Sequence, residues 1–162
     1  MFPLQSLLGD AAGWLAFLAL ALLPGLVATL LWAPFLAAAR IRSLFEALPP
    51  AGRLLPTYVL GCVGASVPYV AGLLYVLATV DPAGAAWSNA ILDATLQLSV
   101  LYVVGFPLVG ALVLPQLGVD WDPTGYGPST WGLLVAGGVW YAILFGVPLV
   151  GLSLVFALPG GY

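Results

Sequence analysis

Asp93 and Gln97 stand four residues apart in an otherwise apolar run, and Tyr102 follows further along it. Residues i and i+4 share one face of a helix, so this carboxylate and carboxamide meet side by side. Such a pair can hold a proton or a small cation, with the amide as neutral partner. An ionisable group inside a membrane helix is a functional candidate because burying its charge is costly. A structural reading competes. If the helix begins at Ser88 or Asn89, either residue caps it, and Asp93 lies only ~6 Å down, near the headgroups and the positive end of the helix dipole. A second acidic pair, Asp120 and Asp122, has the Asp-x-Asp spacing of a divalent-cation ligand. Two carboxylates without further acids make a weak site, and Asp122-Pro123 with Gly125 is ordinary turn chemistry. The expectation here is an ordered turn, with Ser129 or Thr130 capping the helix that follows. Trp140 and Tyr141 need hydrogen-bond partners; core packing explains them, and a small cavity shared with Tyr102 is the alternative.

These groups sit in a chain of 162 residues, 63% hydrophobic and 6% charged. Soluble domains carry roughly 25% charged residues. With a mean hydropathy of +1.15, lipid must be the solvent for most of the surface. Histidine is absent, which removes bis-histidine haem ligation, typical zinc sites and histidine-dependent hydrolysis. Cys62 is the lone cysteine, so neither an internal disulfide nor a CxxC site exists. No lysine-bearing phosphate loop occurs, and three arginines are too few for nucleic-acid binding. No catalytic residue, metal or cofactor is implied, and the chain is not expected to be an enzyme.

The elements that position Asp93 are membrane helices. A span needs about 20 apolar residues, and four stretches qualify: residues 11–33, 56–80, 89–114 and 131–158. The expected fold is all-α, a single transmembrane domain over residues 1–162 forming a four-helix bundle. The stretch Met1–Gly9 has no basic residue, so the first span reads as retained. Arg40, Arg42 and Arg53 all fall between the first two spans. The positive-inside rule puts that connection in the cytoplasm and both termini outside, in a multi-pass protein of the cell membrane. Trp14 and Trp87 near the outer surface, and Trp32, Tyr58, Trp121, Tyr126 and Trp131 near the inner one, read as aromatic belts.

Residues 34–48 read as a short helix on the membrane surface, its arginines toward headgroups and its apolar face made by Ala37, Ile41, Leu44, Phe45 and Leu48. The alternative is a straight extension of the first helix. Arg42 and Glu46 are spaced to pair. Every span holds an internal proline, at Pro24, Pro68, Pro107 and Pro148, and each is a candidate kink. Small residues form packing faces on two spans: Gly61, Ala65, Pro68 and Gly72 on the second, and Gly138, Ala142 and Gly146 on the fourth.

The segment Asp120 to Trp131, with the absence of lysine and the excess of aspartate, resembles uncharacterised small multi-span membrane proteins of halophilic archaea. That resemblance brings no known activity and transfers no site. The reading is therefore a non-enzymatic membrane protein, a structural or accessory subunit or a homo-oligomer, with the lipid bilayer and other membrane subunits as partners. A proton- or ion-coupled transporter using Asp93 and Gln97 is the runner-up. A membrane enzyme completed by a partner is the third reading.

Overall fold

The computed structural model describes residues 13, 19, 21–49, 52–81 and 85–158. The described residues are helical, without strands. Helix α1 is Ala21–Ala37 and its last turn, Ala33–Ala37, is a 3-10 turn; α2 is Ala39–Ala47. Helix α3 is Leu54–Thr79, α4 is Ala86–Gln116 and α5 is Pro128–Ala157. The start of the expected first span, Trp14 and the turn at 82–84 lie outside the described residues.

Helices α3, α4 and α5 have 26, 31 and 30 residues and mean hydropathies of 1.8, 2.1 and 2.1. At 1.5 Å per residue they are about 39–46 Å long, enough to cross a hydrocarbon core of about 30 Å. Only 17–22% of their apolar windows is buried within the chain, so most of that apolar surface is not covered by the chain itself. Three helices therefore have the length and composition of spans, and the bent pair α1–α2 raises the number to four if it counts as one.

That bend answers one question the sequence leaves open. α1 and α2 meet at 119° around Ala38, whose backbone is extended. α2 is a separate helix, not an extension, and it starts at Ala39 because residues 33–37 form the 3-10 turn around Pro34. Its apolar face does not lie against lipid as expected. Ile41, Leu44 and Phe45 are buried on the bundle, and the Phe45 ring meets Trp32 and Tyr58 edge-on. Arg42 does not pair with Glu46; it donates to the carbonyls of Leu36 and Ala37 at 2.7 and 3.0 Å, closing the end of the 3-10 turn.

The aromatic belt also needs correcting. Trp32, Tyr58 and Trp121 are buried. Trp32 stacks on Phe35 and donates its indole N–H to the Gly137 carbonyl across the bundle. Tyr58 donates to the Thr29 carbonyl. Buried polar rings in lipid need acceptors, and neighbouring helix carbonyls supply them.

α4 and α5 form the most extensive helix pair. A Cβ on Gly138 would sit 2.8 Å from the Tyr102 carbonyl oxygen, whereas one on Gly146 would meet only the Ser99 hydroxyl at 3.7 Å. Ala142 between them is buried. On α3, Gly61 faces Phe45 and Gly72 faces Leu98. These small-residue positions pack within the chain. Two glycines outside that expectation sit as tightly: Gly25 against Ser66, and Gly137 against the Trp32 ring. α3 and α5 run on through Pro68 and Pro148, and Pro24 lies inside α1.

Because backbone blocks a Cβ at Gly138, Gly138→Ala should destabilise the protein by about 1–3 kcal/mol. Gly151→Ala, at a site with nothing within 4 Å, should be neutral or slightly stabilising. Thermal unfolding of both variants in one detergent checks this.

Candidate functional site

α4 begins at Ala86, with Ala85 at its N-cap and no side-chain cap. Ser88 and Asn89 are inside the helix and cap nothing. Asp93 is therefore about 10 Å from the helix start, not ~6 Å. If a helix of about 46 Å is centred on a core of about 30 Å, about 8 Å lies outside at each end, and on that placement Asp93 and Gln97 fall within the hydrocarbon. Gln97 donates to a carboxylate oxygen of Asp93 at 2.8 Å. Both residues, and Asn89 one turn before them, are exposed. They form a polar stripe at i, i+4 and i+8 on the outer face of α4. Tyr102 does not join it: its hydroxyl points inward and donates to the Ala65 carbonyl of α3.

Tyr102 belongs instead to an aromatic group inside the bundle. Its ring stacks on Tyr69 and Tyr141 at 5.2 and 5.4 Å, and Phe145 stacks on Tyr69 at 4.7 Å. Tyr141 donates to the Cys62 carbonyl at 2.6 Å. Trp140, on the other side of α5, donates to the Leu31 carbonyl at 3.0 Å. Tyr102 and Tyr141 line an apolar cavity of about 210 Å³, as the alternative for those residues anticipates; Trp140 is not part of it. Leu44 and Phe45 of α2 form one wall, Gly61 and Ala65 of α3 a second, and Phe106 and Val109 of α4 a third.

At the α2 end of the bundle the loop from 118 to 127 is organised by Asp122, which is buried. One carboxylate oxygen accepts from the Thr124 N–H and hydroxyl at 3.0 and 2.7 Å; the other accepts from the Thr130 hydroxyl. Arg40 of α2 approaches at 3.8 Å and also donates to Ser129 and Thr124. Burial pushes the Asp122 carboxyl upward, but the bonds from Thr130 and Thr124 and the charge of Arg40 outweigh it, and the group titrates below its ordinary range. Asp120 takes a different partner, the Tyr126 hydroxyl at 2.8 Å. The two carboxylates are thus not turned to one centre, and no group of three metal-ligating side chains occurs among the described residues. Ser129 and Thr130 do not cap α5 either. That helix starts at Pro128 behind an N-cap at Gly127, and their hydroxyls serve Arg40 and Asp122. Arg40 is turned to this loop.

The loop is tied to α4 through a π-helical turn, Val109–Val113. The Leu114 N–H bonds Val109, five residues back, and Pro115 has no N–H to give. The Gly110 carbonyl is left without a backbone donor of either register. Trp121 fills that vacancy, donating its indole N–H to Gly110 at 2.7 Å. Pro115 carries this arrangement; sequence reasoning weighed four other prolines, and the readable signal was a proline followed six residues later by a tryptophan.

A carboxyl that titrates low in the folded protein adds stability that is present above its unfolded pKa of about 3.9 and is lost as pH falls through the folded value. Asp122→Asn should cost about 2 kcal/mol near neutral pH. The gap to the parent protein should stay full above about pH 4 and close as pH falls further. Unfolding midpoints of the two proteins across that range measure it.

No curated protein and no solved structure matches the chain. A family model does match it, over residues 12–160. A match covering nearly the whole helical domain, its polar stripe, cavity and Asp122 loop included, places the chain in the family described as Domain of unknown function (DUF8162).

Proposed function

We propose that this chain is a non-enzymatic multi-pass membrane protein that works as a subunit of a homo-oligomer, with the outer face of α4 as the contact between copies. The observation that supports the reading is the exposed stripe Asn89, Asp93 and Gln97 on a helix of spanning length. An aspartate facing hydrocarbon costs up to about 3 kcal/mol, and hydrogen bonds to a second helix offset part of that. The small-residue faces do not carry the reading, because they are used inside the chain. In this reading α1 with α2, α3, α4 and α5 make four crossings of the cell membrane. The arginine-bearing connection and the Asp122 loop face the cytoplasm, and both termini are outside.

The runner-up draws on the same stripe. If α4 helices meet around an axis, their Asp93–Gln97 pairs line it, and a proton or cation could pass or bind there. An Asp93→Asn variant in reconstituted vesicles tests this: an unchanged flux removes Asp93 from any transport role.

In mild detergent the purified chain should run as a homo-oligomer by native mass spectrometry. Replacing Asp93 and Gln97 together with leucine should weaken self-association about tenfold, the worth of one or two interhelical hydrogen bonds. A strictly monomeric parent protein sinks the proposal.

A further inference from the structure

We propose that the cavity beneath α2 holds one acyl chain of an anionic phospholipid from the leaflet on the arginine-bearing side, with Arg53 at the headgroup phosphate. The cavity is almost wholly apolar and, at about 210 Å³, exceeds the roughly 150 Å³ of an engineered apolar cavity that stays dry and takes up benzene. Its walls include Gly61 and Val109, which lie on α3 and α4 and are both exposed. The space therefore opens sideways between these helices, toward the hydrocarbon. Gly61 is seven residues into α3, about 10 Å from its start, and Tyr141 is thirteen into α5, about 20 Å from its start. The cavity thus spans the depth of the arginine-side leaflet, where a chain anchored at the surface reaches it.

The headgroup assignment rests on what the three arginines do. Arg40 is held by Asp122, Thr124 and Ser129, and Arg42 by two carbonyls. Arg53 is exposed; its carbonyl accepts from Thr57, but its guanidinium has no hydrogen-bond or ion-pair partner among the described residues. It precedes α3, whose first turn has no side-chain cap, so a guanidinium and unbonded N–H groups face the same headgroup layer. A phosphate suits both.

The test uses the full chain in detergent, titrated with phosphatidylglycerol or phosphatidylcholine of identical acyl chains and read by native mass spectrometry. One phosphatidylglycerol per chain should bind, about fivefold tighter than phosphatidylcholine, the preference expected of one arginine at a membrane surface. Arg53→Gln should abolish that preference and leave phosphatidylcholine binding intact. Val109→Trp, filling the mouth from a half-exposed position, should weaken both lipids at least tenfold. Ala65→Leu fills the space from the opposite wall and serves if Val109→Trp does not fold. Equal binding of the two lipids, or a preference untouched by Arg53→Gln, overturns the headgroup assignment. Lipid binding unchanged in the cavity-filling variants overturns the site.

Discussion

An indole or phenol in the apolar interior of a membrane protein has no water to bond and few side chains to turn to. The remaining acceptors are helix carbonyls, which have a second lone pair even when the backbone ladder is complete. This chain meets that constraint repeatedly. Trp32 bonds Gly137, Trp140 bonds Leu31, Tyr58 bonds Thr29, Tyr102 bonds Ala65 and Tyr141 bonds Cys62. Each bond runs from one helix to the backbone of another. Hydrophobicity gives little preference for one helix neighbour over another in lipid, so these directional contacts fix which faces meet. Close approach at Gly137 and Gly138 then follows, because a side chain there would collide with the Trp32 ring or the Tyr102 carbonyl.

The long apolar runs were readable because length and composition alone mark a span. Expected boundaries at 56–80, 89–114 and 131–158 meet helices at Leu54–Thr79, Ala86–Gln116 and Pro128–Ala157. The helix after the first span was readable from its apolar spacing. What it packs against was not, since lipid and protein interior are equally apolar and Phe45 suits either. Trp32, Tyr58 and Trp121 were misplaced in the aromatic belt for the same reason. Periodicity cannot distinguish a tryptophan at a headgroup from one bonded to a carbonyl in the core. The Asp93–Gln97 pairing followed from spacing, whereas its depth depended on where α4 begins, and Ser88 and Asn89 offered misleading caps.

At the arginine-bearing end, the polar groups are arranged as mutual supports. Asp122 orders its loop through Thr124 and Thr130, and Arg40 joins that loop to α2. α2 in turn roofs the apolar cavity with Leu44 and Phe45. The first and third connections of the chain are thereby linked, although they are more than 80 residues apart in sequence. At the opposite end of the described bundle the indole of Trp87 donates to the Val80 carbonyl within a single connection, and its ring meets Phe156 edge-on.

The π turn in α4 has a consequence for how the sequence can change. A π turn holds one residue more than the α turn it replaces, so residues beyond it are rotated by about a quarter of a circle or slightly more. Deleting one residue from Val109–Val113 would close the bulge and turn the end of α4 away from the loop. The Trp121 indole would then lie buried without its acceptor. Helix length at 109–113 and the tryptophan at 121 are therefore structurally coupled: a change of length in the first removes the acceptor that the second is placed to meet.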